Sequence, residues 1–163
     1  MTGGIPSAVA STTPRNESGG RDSNGPSPNT RLAEPILPFL KWAGGKRWLP
    51  QDFYSILPRA YNRYIEPFLG GGAVFFSLEP RYALLGDINS DLIDCYNAIA
   101  EDWKLVVRYL KQHQKNHSKE HYYKIRASKP RGLFTRAARF IYLNRTCWNG
   151  LFRVNQKGEF NVP

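Results

Sequence analysis

Apolar positions along this chain change period several times, and each change marks a structural boundary. Tyr64-Ile65-Glu66-Pro67-Phe68-Leu69 is a short apolar run ending in Gly70-Gly71-Gly72, which predicts a buried strand followed by a tight turn. Ala73 to Leu78 then suits a helix. Tyr82 to Leu85 suits a second strand ending at Gly86-Asp87. From about Asp91, Leu92, Ile93, Tyr96 and Ile99 recur at the helical spacing. Upstream, Phe39, Leu40 and Trp42 lead into Gly44-Gly45-Lys46. Pro50 with Phe53, Ile56 and Leu57 predicts a short helix stopped by Pro58. Strand, glycine turn, helix, strand, acidic residue, helix is the opening of a doubly wound α/β sheet.

Beyond Glu101 the pattern is helical and basic. Trp103, Val106, Val107 and Leu110 form one stripe, and Phe134, Ala137, Ala138 and Ile141 form another after Gly132, enough for two or three helices. Residues 153–162 predict a hairpin turning at Lys157-Gly158. The opposite end differs: Ser11 to Thr30 is rich in Ser, Thr, Gly, Pro and Asn and nearly lacks large apolar side chains. Such a stretch cannot bury enough surface to offset the entropy of ordering. Three parts are expected: a disordered Ser/Gly/Pro-rich tail over 1–37, the start of an α/β domain over 38–100, and a basic helical subdomain with a terminal hairpin over 101–163. An open sheet covered on both faces usually has about five or six strands, and only two parallel ones are legible. The sheet is expected to be incomplete, with an exposed edge that favours aggregation.

Charge sharpens this division. Residues 1–100 hold nine Lys/Arg against nine Asp/Glu, while residues 101–163 hold fourteen against four, so the whole net charge of +10 lies in the last part. A polyanionic partner, nucleic acid before an anionic membrane, is the functional reading, and a solvated basic face is the plain one. Cys95 and Cys147 form no Cys-x-x-Cys pair or disulfide framework, which points to a reducing, cytoplasmic setting. No run reaches the roughly 18 to 20 apolar residues of a membrane span.

Four groups of residues could carry chemistry. The glycines at 70–72 follow a strand, and Asp87 ends the next one 15 residues later. Backbone can approach a ligand at such a turn, and a carboxylate there can accept from two ribose hydroxyls. The three-glycine dinucleotide fingerprint is not met, and a tight turn beside an exposed Asp remains the simpler alternative. Gly45-Lys46 resembles the end of a phosphate loop, but position 40 is Leu and position 47 is Arg, so that motif fails. His113, His117 and His121 recur every four residues. Their polar surroundings favour a solvated basic surface over a zinc site, and no metal is expected. Asn144 to Arg153 is the densest polar and aromatic cluster; Asn and Arg can pair with base edges and Trp or Leu can wedge between bases, or the segment is a helix end with Trp148 and Leu151 packed inside.

Taken in order, Lys41-Trp42-Ala43-Gly44-Gly45-Lys46, Glu66 to Gly72, Asp87 to Leu92, and Asn144-Arg145, Asn149 to Arg153 and Gly158 to Pro163 closely resemble the Dam family of DNA adenine methyltransferases. The resemblance implies an α/β fold with an incomplete Rossmann-like methyltransferase sheet and a helical, basic DNA-binding insertion. It implies S-adenosylmethionine as cofactor, with Trp42 and Lys46 at its methionine part, Phe68, Gly70 and Gly72 in the cofactor loop, and Asp87 on the ribose. It also makes Trp148, Asn149, Leu151 and Arg153 candidates for reading double-stranded DNA, with GATC as the commonest family target; Trp148 stands where the family often has Tyr. A cognate restriction endonuclease is a candidate companion. The family flips adenine out of the duplex and transfers methyl to its exocyclic amine, orienting the amine with an Asp-Pro-Pro-Tyr segment. No such tetrapeptide occurs in residues 1–163. The expectation is therefore a chain truncated before its catalytic segment and inactive alone, the alternative being a non-catalytic DNA-binding fragment.

Overall fold

The computed structural model describes residues 8–11, 36–45, 57–58 and 60–163. Its sheet has three strands, β1 (Ala8–Ser11), β2 (Tyr64–Glu66) and β3 (Ala83–Asp87), in the order β1-β3-β2. β2 and β3 are parallel, with Ile65 opposite Leu84 and Glu66 opposite Leu85. Helix α1 (Ala73–Leu78) connects them. Side chains alternate across a pleated strand, so Ala83, Leu85 and Glu66 share the buried face while Ile65, 58% exposed, points the other way.

β1 lies within residues 1–37, the span expected to be a disordered tail. Ala8–Ser11 pairs antiparallel with β3, Ala8 opposite Asp87 and Ser11 opposite Leu84. Periodicity could not show this. A four-residue strand gains its hydrogen bonds from the open edge of β3, more than seventy residues away. Most of the short helix expected after Pro50 falls outside the described residues.

Helix α2 (Ser90–Lys115) starts on Asn89, whose side chain accepts from the Leu92 N–H at 3.1 Å, with Asp91 in its first turn. Both features offset the unpaired N–H groups of a helix start, the cap by about 1 kcal/mol. The helix breaks at Asp102 (φ −152°, ψ 84°), where the Asp102 carboxylate accepts from Leu105 N and caps the second half anew. That break separates the two apolar patterns visible in the sequence. Within the second, Val106 is buried, whereas Trp103 and Val107 are exposed.

α3 (Lys119–Ala127) begins on the Ser118 hydroxyl, and α4 (Leu133–Thr146) runs along α2. Ala98 and Ala137 are fully buried in one core with Leu92, Ile93 and Phe140. These small side chains let helix backbones approach closely, and the core continues without interruption across residue 100. A second core joins Tyr122, Tyr142, Leu143, Cys147, Phe160 and Val162. It holds the terminal hairpin, in which Val154 bridges Phe160 and Gly158 takes φ +73° at the predicted turn.

Some of the basic charge is spent internally. Arg136 pairs with Asp94 at 2.9 Å, joining α4 to α2. Arg139 donates to the carbonyls of Ile125 and Arg126, closing the C-terminal end of α3. Among the described residues, no helix is long and apolar enough to cross a membrane.

Candidate functional site

The turn after β2 is built by short-range bonds. Leu69 N donates to the Gly86 carbonyl at 2.8 Å, and Gly72 N closes the turn on the Leu69 carbonyl at 2.9 Å. Gly70 has φ +51°, and a Cβ there would lie 2.9 Å from Trp42 Cδ1, so both backbone and space require glycine. Asp87 straps the turn in place. One of its oxygens accepts from Gly70 N at 2.9 Å and the other from Asn89 N at 3.0 Å. A carboxylate has about four acceptor positions, which leaves capacity for a pair of hydroxyl donors.

A crevice of about 280 Å³ opens at this turn, with Trp42, Glu66, Phe68, Gly70 and Asp87 among its walls. Phe68 is 78% exposed, an aromatic face left open at the rim. Glu66 is buried and accepts from the Tyr64 hydroxyl at 2.8 Å. Two carboxylates, an open aromatic face and backbone without Cβ atoms suit a nucleoside that carries positive charge.

A second cleft, of about 410 Å³, lies between Lys41 and the short 3-10 turn Trp148–Gly150. Asn149 and Leu151 line it, and it shares Trp42, Ala43 and Gly71 with the crevice. Trp42 is thus the common wall. Its indole stacks on Phe152 (5.9 Å, 22°), packs near Phe140, and sets its pyrrole atoms against Gly70.

The expected residues divide accordingly. Trp42, Phe68, Gly70 and Asp87 meet at the crevice, and Asn149 and Leu151 meet across Trp42 from them. Gly72 lies behind the crevice, capping α1 with φ +70° and facing the Phe76 ring and Tyr96 hydroxyl. Arg153 is folded along the hairpin, its Nε donating to Asn161 Oδ1 at 2.8 Å. Trp148 is 65% exposed. Lys46 lies outside the described residues.

Sequence reasoning gave Glu66 no role of its own and read Asn144 among groups that pair with base edges, whereas Asn144 is 2% exposed and bonded at both ends of its amide. Sequence reasoning also passed over a recess of about 500 Å³ between α4 and the hairpin, whose walls include Arg126, Arg136, Arg139, Asn155 and Asn161. The clustering of Lys and Arg after residue 100 was the available signal; that they converge is a tertiary fact.

Of the histidines expected on a solvated basic surface, His117 is exposed and His113 and His121 are half-buried. They lie on α2, its following loop and α3, and gather around Tyr142. His113 Nδ1 sits 3.2 Å from His121 Nε2, His117 Nδ1 is 2.9 Å from the Tyr142 hydroxyl, and the His113 ring stacks on Tyr142. Burial, then His121, holds His113 below its ordinary pKa. Among the described residues no group of three or more His, Cys, Asp or Glu is placed to hold a metal ion. Burial pushes the Cys95 thiol up to about 12 and raises that of Cys147, so both are poor nucleophiles.

Residues 42–163 match the family of D12 class N6 adenine-specific DNA methyltransferases, and the chain belongs to that family. Over 134 residues it is 44% identical to the Type II methyltransferase M1.LlaDCHI of Lactococcus lactis subsp. cremoris, covering 78% of this chain and 47% of that protein. It is 40% identical over 149 residues to the Type II methyltransferase M.MjaIII of Methanocaldococcus jannaschii, covering 78% and 52%. With the DNA adenine methylase of Escherichia coli K12 it shares 43% over 130 residues, covering 77% and 46%. The chain spans about half the length of these curated relatives.

Proposed function

We propose that this chain supplies the cofactor and target binding surfaces of a site-specific DNA adenine methyltransferase that uses S-adenosylmethionine. The observation that carries this reading is the shared wall: the crevice of Asp87 and the cleft of Asn149 and Leu151 meet at Trp42 and Gly71. A methyl donor and a base must approach within van der Waals reach, and two separate pockets would not serve.

In this reading β2, β3 and the helices on them begin a Rossmann-like sheet over residues 38–100, and residues 101–163 form the DNA-binding insertion. S-adenosylmethionine supplies an activated methyl on a sulfonium. Asp87 accepts from the ribose, Phe68 covers the nucleoside, Gly70 gives backbone access, and Lys46 and Trp42 hold the methionine end. Gly72 contributes by shaping the turn.

On the DNA side, Asn149 and Arg153 present base-pairing groups while Leu151 and the exposed Trp148 wedge or stack beside the extruded adenine. The surplus of Lys and Arg neutralises phosphates. GATC is the proposed site, and a restriction endonuclease reading the same site is the proposed companion, as the Type II names of two relatives suggest. These residues bind and orient; the amine-orienting Asp-Pro-Pro-Tyr is not among residues 1–163.

Calorimetry with S-adenosylhomocysteine tests the assignment. Asp87→Ala in the full-length gene product should weaken binding about tenfold to a hundredfold, the range for losing hydrogen bonds to a charged group. Unchanged affinity would remove Asp87, and with it this crevice, from the cofactor site.

A further inference from the structure

Asn144 stands near the end of α4, and its amide is committed to the backbone of distant Lys41 and of Gly150, six positions on. Its Oδ1 accepts from Lys41 N at 2.9 Å, while its Nδ2 donates to the Lys41 carbonyl at 2.7 Å and to the Gly150 carbonyl at 3.1 Å. Both polar groups of one residue, 103 positions away, are therefore read by one side chain, much as a neighbouring strand would read them. A buried amide can form about four hydrogen bonds, so three are accounted for, and none goes to a ligand.

Gly150 closes the joint from the other side. It has φ +67°, and a Cβ there would come within 2.5 Å of the Lys41 side chain, so the turn lies flush on Lys41. The next residue is Trp42, the wall common to the crevice and the cleft. Asn149 and Leu151 flank Gly150. Displacing the 148–151 turn must pull on Asn144 or Lys41, and displacing Lys41 must shift Trp42 against Gly70.

We infer that Asn144 is a positioning residue that couples the two ligand sites, so that DNA on the 148–151 turn tightens the cofactor crevice and cofactor tightens the hold on DNA. The inference rests on the functional reading above. Its physical basis is shared ordering: a ligand that fixes one half of a rigid joint removes part of the ordering cost for a ligand on the other half. Linkage requires the effect to be equal in both directions.

The experiment uses the full-length gene product. The Kd for S-adenosylhomocysteine is measured by calorimetry without DNA and with saturating sheared double-stranded genomic DNA, which contains every short site. The wild type should show a ratio of about fivefold or more, the lower end of ordinary coupling. In Asn144→Ser the ratio should fall towards one. Gly150→Ala attacks the joint without touching the amide and should do the same. A purely structural role would lower the fitted stoichiometry or, where DNA can draw the protein back to its binding-competent state, raise this ratio, and would not bring it towards one.

A wild-type ratio of one with both ligands bound overturns the coupling and leaves the functional reading standing. Failure of the wild type to bind either ligand overturns both. A wild-type ratio retained in folded Asn144→Ser overturns the role of Asn144. If that variant does not fold, a retained ratio in Gly150→Ala overturns the joint.

Discussion

The two walls of the candidate site are built by opposite means. On the crevice side, Asp87 reaches Gly70 and Asn89, 17 and 2 positions away, and the turn closes on its own carbonyl. On the target side, the Trp148–Gly150 turn depends on Asn144 clamping Lys41, on Trp148 N bonding the Pro163 carbonyl, and on Phe152 stacking under Trp42. The first is a local motif completed by one neighbouring strand. The second is a junction of three segments and exists only when all three are in place. A local motif should survive damage elsewhere, whereas a junction should fail as a unit.

The most severe test is Asn144→Leu, which fills similar volume but strands Lys41 N, the Lys41 carbonyl and the Gly150 carbonyl. An unsatisfied buried group costs about 1–3 kcal/mol, with the lower figure of about 1 for each part-buried group of Lys41, so denaturant unfolding should show a loss of about 3–5 kcal/mol. Hydrogen exchange should place the loosening at 38–42 and 148–152 more than at the Leu69–Gly72 turn. Equal loosening of both walls would abolish the distinction between them.

A milder comparison uses two glycines of similar backbone. Gly150 and Gly158 take φ +67° and +73°, but a Cβ at Gly158 meets nothing within 4 Å while one at Gly150 strikes Lys41. Gly158→Ala should cost about 1–2 kcal/mol from backbone conformation alone. Gly150→Ala should cost about 1–3 kcal/mol more through overpacking. Equal losses in thermal or denaturant unfolding would show that the turn is not pressed on Lys41.

The smallest effect concerns pH. His113 lies below its ordinary value of 6.5 because of burial and then His121. The unfolded chain therefore takes up a proton there before the folded one does. Stability is unaffected where both states are neutral and falls as pH drops below about 6.5. Two protonated rings could not share the 3.2 Å contact between His113 and His121. Amide protection factors near residues 113–125, corrected for the base-catalysed intrinsic rate, should fall between pH 7.5 and 5.5 while those of the crevice turn change little, and His113→Gln should flatten that response.

Legibility in the sequence followed the same line between local and distant. The strand at Tyr64, α1 from Ala73 to Leu78, the strand ending at Asp87 and the turn at Gly158 could all be read, because period, turn residues and caps are encoded by near neighbours. Trp103 and Val107 share an apolar stripe with the buried Val106 yet are exposed, since a helical stripe shows which side chains share a face and not how much of that face a partner covers. Arg136 and Arg139 looked like surface charge until Asp94 and the end of α3 gave them internal partners. β1 was invisible because its pairing energy resides in β3.

By itself, then, the sequence determined the family, the order of elements from Tyr64 onward, the glycine turn with its carboxylate, and the concentration of positive charge after residue 100. Tertiary structure alone decided that Trp42 would be a wall shared by two clefts, that Gly72 would lie behind the crevice and Arg153 along the hairpin, and that Asn144 would be a clamp rather than a free base-pairing group. A hydrogen bond between residues 103 positions apart leaves no period and no spacing in the chain. It forms only after α4 has packed on α2 and brought its buried amide against the backbone of Lys41.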